Sequence, residues 1–250
     1  IGLRVLETTE PMPDMSDTTN TSSNRRPLKS RDRAWAKFLA RKAAGAGITP
    51  NAISVLSVCF AAGSMACFLL APDMKSPATI VLAWLGAAAG IQLRLVCNLI
   101  DGMVAVEGGK RSPVGGLYNE VPDRIADVLF LVGAGYASNV EPGVVKLFGV
   151  LPLGWSCAVA ALWTAYVRSI GAELTGRQFF AGPMGMQHRM AVLTTGCLMC
   201  LVASLITGGN PHIVMTVVLT IILAGALFTC WRRLRLISAE LRDASPGRRV

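Results

Sequence analysis

Residues 98 to 127 read NLIDGMVAVEGGKRSPVGGLYNEVPDRIAD, and they join two apolar stretches, 78 to 100 and 117 to 138. Ionisable residues at membrane-length segments are costly and mark functional candidates by default. Here they cluster. Arg94, Asn98 and Asp101 are spaced by four and three, and Asn119, Asp123 and Asp127 by four and four, so each set shares one helical face. Two antiparallel helices can aim these faces at each other, with Glu120 and Arg124 beside them. The intervening residues, 102 to 116, read as a Gly-rich polar loop that lets backbone approach a ligand closely.

The rest of the chain supplies the setting. Of its 250 residues 52% are hydrophobic and 16% charged, with a mean hydropathy of +0.50. Soluble domains carry about a quarter charged residues, so a bilayer is the natural surrounding. Six apolar stretches, at 51 to 71, 78 to 100, 117 to 138, 144 to 168, 190 to 208 and 211 to 231, are each close to the ~20 residues a crossing helix needs. The expected fold is all-α and integral to the membrane: six transmembrane helices preceded by a cytoplasmic interfacial amphipathic helix. The domain plan is a disordered tail at 1–28, the interfacial helix at 29–46, a catalytic bundle at 47–235 and a basic cytoplasmic tail at 236–250. In the tail, Met12 and Met15 leave open where the natural start lies. No hydrophobic run there makes a signal peptide. In the interfacial helix Trp35, Phe38 and Leu39 share a face suited to an anionic leaflet.

A cytoplasmic amino terminus places Arg25 to Lys42, Lys110, Arg111, Arg177, Arg189 and the tail from Arg232 to Arg249 on one side, and only Lys75 and Lys146 on the other. That asymmetry predicts both termini in the cytoplasm and a location in the cytoplasmic (inner) membrane. The net charge of +9 does not point to nucleic acid, because the basic residues flank apolar runs rather than sharing a patch with aromatics. All seven Cys lie within apolar runs and read as small core hydrophobes, the Cys197/Cys200 pair included.

Hard divalent cations take carboxylate, amide and phosphate oxygens, and a pair of them ~4 Å apart can clamp a diphosphate. Asn98, Asp101, Asn119, Asp123 and Asp127 would suit Mg²⁺ or Mn²⁺, one ion or two. The competing reading is that Arg94, Arg124 and the Asp residues merely pair with one another to hold helices together. Three carboxylates and two amides exceed what two Arg neutralise, which favours a cation.

The same residues resemble the CDP-alcohol phosphotransferase family, whose pattern is DxxDGxxAR, eight residues, then GxxxDxxxD. In that register Asn98 and Asp101 take the first two acidic places, Gly102 and Ala105 match, Val106 replaces the usual Arg, and Gly115 matches. Asn119 and Asp123 take the third and fourth acidic places. ITPNAIS, residues 48 to 54, is similar to the family's TPN segment. A second register aligns Asp123 and Asp127 as the last acidic pair with a four-residue longer loop.

The resemblance implies a phospholipid-synthesising transferase in which an alcohol hydroxyl attacks the β-phosphorus of a CDP-linked donor and releases CMP. It implies metal ligation by Asp101, and Asp123 as the base, or Asp127 in the second register. It also implies room for the nucleotide at Gly102 and Ala105, and homodimers are common in the family. Arg94 is expected either to supply the cation that Val106 lacks or to bridge to Asp127. Arg168, Arg177, His188 and Arg189 gather at the same rim in sequence, and read equally as a phosphate dock or as membrane anchors, with His188 the blandest. Two Asn and one Val at motif positions motivate the alternative of a degenerate member that binds CDP-lipid or a membrane partner without turnover. A transporter finds no support in internal duplication or in a midplane polar site.

Overall fold

A computed structural model describes residues 34–107, 114–138, 146–147, 151–207 and 211–244. The expected tail at 1–28 lies outside them, as do Lys110 and Arg111 and most of the connections around 139–150 and 208–210. The architecture is helical: α1 Ala34–Gly45, α2 Pro50–Leu70, α3 Pro77–Glu107, α4 Gly115–Ala137, α5 Leu153–Thr175, α6 Met186–Thr207 and α7 His212–Asp243. Four of these segments are long and apolar enough to cross a membrane, beginning at Pro50, Pro77, Met186 and His212. The helices α4 and α5 are long enough but more polar, because α4 carries the stretch from Asn119 to Asp127 and α5 carries Arg168 and Glu173.

Local chemistry explains the boundaries. Thr49 caps α2 by accepting the Ala52 N–H at 3.2 Å, and Pro50 occupies the first turn, where its missing N–H costs nothing. Gly47 ends the α1 turn with a φ of 75°. Three expectations change. Residues 102 to 107 are helix rather than loop, which makes α3 31 residues long, about 46 Å at 1.5 Å per residue. That exceeds the ~30 Å hydrocarbon core, so one end of α3 must project beyond it. The stretch expected from 144 begins with a two-residue antiparallel pairing, Lys146–Leu147 with Leu151–Pro152, and α5 starts only at Leu153. Pro152 disfavours helical conformation in the residue before it, which stops α5 from extending upstream. The expected basic tail is α-helical as far as Asp243, as a continuation of α7.

The bundle packs α2 against α3 and α4, α3 against α6, α4 against α5, and α5 and α6 against α7. Phe68, Trp84, Ile91, Phe130, Leu193, Leu219 and Ile222 fill the core. Leu82, Ile206 and Ile213 point outward and are among its most exposed residues, as hydrocarbon-facing side chains would be. Cys197 and Cys200 are fully buried and free. The first helix packs on α3 through Ala36 and Ala40, which join Ile53, Cys97 and Met103 in a small second cluster. Its Trp35, Phe38 and Leu39 face away from the bundle.

Small residues set the closest approach. A Cβ on Gly135 would lie 2.6 Å from the Gly154 Cα, so α4 and α5 touch backbone to backbone. Gly135→Ala is therefore expected to cost roughly 1–3 kcal/mol by overpacking, visible as a lowered melting temperature in detergent. Gly63→Ala, where a Cβ meets nothing within 4 Å, is the matched control and should leave that temperature unchanged.

Candidate active site

The buried carboxylates and the guanidinium groups that meet them come from one end of the bundle. Ser54 lies in the first turns of α2, Arg94 and Asp101 in the later part of α3, Asp123 and Asp127 in the first half of α4, and Arg189 in the first turn of α6. Arg94, Asp101, Asp123, Asp127 and Arg189 are all buried. Ions in an apolar interior cost several kcal/mol each unless paired, so their partners decide what the site can do.

Two pairs are tight. Arg94 donates from Nη2 to Asp123 Oδ1 at 2.6 Å, and Asn98 donates from Nδ2 to the same oxygen at 2.8 Å. Arg189 donates from Nη2 to Asp127 Oδ2 at 2.7 Å, and its Nη1 reaches the Met184 carbonyl at 3.4 Å. Arg124 lies between the two carboxylates, 3.8 Å from Asp123 Oδ2 and 3.6 Å from Asp127 Oδ2. It is also 3.7 Å from Glu120, which accepts a hydrogen bond from Arg168.

Asp101 differs from the other two in having no guanidinium partner among the described residues, whereas an unpartnered buried oxygen is something it shares with Asp127, whose Oδ1 also has none there. Asp101 Oδ2 accepts from the neutral Ser54 hydroxyl at 2.6 Å, while its buried Oδ1 has no partner among the described residues. Those residues also give it no salt bridge, although Asp101 and Asp123 are near enough for their charges to act on each other.

The expected residues are thus partly brought together. Asn98, Asp101, Asp123 and Arg94 converge; Asp127 lies one turn deeper, sealed by Arg189. Asn119 is exposed on α4 and meets none of them. Gly102, Ala105 and Gly115 are half-buried, and a Cβ on Gly115 would meet only open space. Arg94 bridges to Asp123 rather than to Asp127. The rim residues do not gather as one dock: Arg168 goes to Glu120, Arg177 pairs with Glu240 on the surface, His188 is exposed, and Arg189 is buried instead of anchoring a loop. Sequence reasoning missed Ser54 as a partner of Asp101. The available signal was its place one turn after the TPN segment, which sets α2 beside the end of α3.

With Arg189 added to Arg94 and the half-buried Arg124, three Arg face three Asp, and charge count alone no longer demands a cation. The pairing does. Asp101 is a buried carboxylate with a free oxygen and a neutral partner, the chemistry of a hard-cation ligand. No group of three or more acidic, His or Cys side chains that could by itself hold a metal occurs among the described residues. Amide and phosphate oxygens would have to complete the coordination.

Fold and site together define a helical membrane bundle with an ionised cluster buried at one end. Solved structures share that architecture. Phosphatidylinositol phosphate synthase of Mycobacterium tuberculosis, in complex with manganese and citrate, superposes with a TM-score of 0.63 at 19% identity, covering 86% of this chain and 93% of that one. The same enzyme with CDP-DAG bound gives 0.61 at 20% identity, covering 86% and 98%. These neighbours are CDP-alcohol phosphotransferases, so the fold implied by the motif is the fold observed. No family model and no curated protein sequence matches the chain.

The Arg189–Asp127 pair joins α6 to α4 with both side chains 1% exposed. Asp127→Asn should destabilise the bundle by about 3–5 kcal/mol by stranding Arg189, read as loss of folded protein in detergent. The double substitution Asp127→Leu with Arg189→Met should recover most of that loss.

Proposed function

We propose that the chain is a multi-pass enzyme of the cytoplasmic membrane that transfers a phosphatidyl or phospho-head-group from a CDP-linked donor to an alcohol, releasing CMP. The observation that carries this reading is Asp101, a buried carboxylate with an uncommitted oxygen, set beside Asp123 where the fold's neighbours are phosphatidylinositol phosphate synthases. One of those structures holds manganese and the other CDP-DAG, which supports a divalent metal and a CDP-lipid donor here. Six crossings, with α4 and α5 completing the four most apolar helices, and both termini in the cytoplasm follow from the charge asymmetry. Trp35, Phe38 and Leu39 then rest on the inner leaflet.

In this reading Asp101, with the Asn98 amide oxygen, holds Mg²⁺ or Mn²⁺, which when bound supplies charge neutralisation on the diphosphate. Ser54 fixes the carboxylate by donating to Oδ2, so that Oδ1 is presented to the ligand. Asp123 takes the proton of the attacking hydroxyl. Its Oδ1 is committed to Arg94 and Asn98, while Oδ2 has only Arg124 at 3.8 Å and is left for the substrate. Asp123 keeps 11% of its side chain exposed against 1% for Asp127, which supports Asp123 as the base and a structural role for Asp127. The half-buried Gly102 and Ala105 and the open space at Gly115 leave room for the nucleotide.

A second reading is favoured by one observation. Arg94 closes on the proposed base at 2.6 Å while Asn98 and Asn119 replace two acids, as expected of a member that binds CDP-lipid without turnover.

Purified chain supplied with CDP-diacylglycerol or CDP-choline and a panel of alcohols should release CMP, and chelator should stop it. Asp123→Asn should lower that release by about 100-fold or more while membrane insertion persists. Normal turnover by D123N would reject this assignment of the base, and no CMP release with any donor, despite retained CDP-lipid binding, would select the second reading.

A further inference from the structure

The four acidic places of the motif hold only two carboxylates here, Asp101 and Asp123, and the structure treats them differently. Asp123 Oδ1 is taken by Arg94 at 2.6 Å and Asn98 at 2.8 Å, with Arg124 3.8 Å from the other oxygen. Arg94 is fully buried, two turns from Asp101 on the same helix, and its Nη1 rests on Met186 Sδ at 3.3 Å. It is built into the core and cannot swing out to solvent. Asp101, 5% exposed, has no cationic partner among the described residues and keeps Oδ1 free.

We propose that Arg94 is a built-in cation that takes the electrostatic place of a second divalent ion beside Asp123, so that the site binds one divalent ion, through Asp101, instead of two. The inference rests on the site reading given above. A guanidinium at 2.6 Å neutralises Asp123, and a second ion there would face Arg94 and Arg124 with no uncompensated carboxylate to offset them. Asn98 and Asn119 offer oxygens without charge, which weakens a cage for two dications further. Asn98 turns its nitrogen to Asp123, because an ionised carboxylate only accepts, and this frees its amide oxygen for the ion at Asp101. Arg94 is thus a positioning and charge-supplying residue, distinct from the groups that touch the ion.

The test is the number of Mn²⁺ ions bound per chain, counted by electron paramagnetic resonance as Mn²⁺ is titrated into the full chain in detergent with CDP-diacylglycerol present to supply the phosphate oxygens. One ion is expected for the unaltered chain, none for Asp101→Asn, one for Arg94→Lys and two for Arg94→Gln, where Asp123 regains its charge. Two ions or none in the unaltered chain overturns the proposal, as does a folded R94Q that still binds one. Should R94Q fail to fold, the counts for the unaltered chain, D101N and R94K decide. A chain that binds one Mn²⁺ yet releases no CMP upholds this inference and rejects turnover, whereas one that binds two and releases CMP does the opposite.

Discussion

Everything in this bundle depends on compensating charge inside an apolar interior. Arg94, Asp101, Asp123, Asp127 and Arg189 are all buried, and in such surroundings an unpaired ion costs more than most single packing contacts return. Arg94 with Asp123 ties α3 to α4, and Arg189 with Asp127 ties α4 to α6. The polar half of α4 is therefore held from two sides by guanidinium groups. This is why a helix too polar to be counted among the clearest crossings packs at the centre of the fold.

Asp101 is the departure from that rule, and the proposed chemistry follows from it. Its side-chain partner among the described residues is the Ser54 hydroxyl, which orients the carboxylate without neutralising it. The N-terminal signals of α2, the Thr49 cap and Pro50, fix where that serine sits, so a local capping arrangement orients a carboxylate 47 residues away. The glycine contact between α4 and α5 acts in the same way, holding the backbone that carries Asp123 and Asp127 in one register against its neighbour. Strong positional constraint on the oxygens is what a hard cation and a diphosphate require, since both are bound by geometry as much as by charge.

The helical architecture and one end of the site were legible from spacing. Asn98 and Asp101, three apart, and Asp123, reached across the loop, do converge as their helical period predicts. The partners of each charge were not legible. Arg94 reads as a supplied cation or as a bridge to Asp127, yet it meets Asp123, which lies on the same face of α4 a single turn away, and only the packing of α3 against α4 decides. Arg189 reads equally as part of a phosphate dock or as a membrane anchor, yet α6 begins at Met186 and carries it straight into the core. Asn119 shares the spacing of the acidic residues but ends exposed.

By itself the sequence determined where the apolar segments lie, that the ionisable residues stand at one end of them, and which faces those residues share, because hydropathy and helical periodicity are local properties. The tertiary structure alone decided that Arg94 closes on Asp123, that Arg189 meets Asp127, and that Ser54 leaves one oxygen of Asp101 free. Those outcomes depend on the rotation and vertical offset of one helix against another. Such offsets are set by the sum of many packing contacts, among them the glycines of α4 and α5, and no single stretch of residues encodes them.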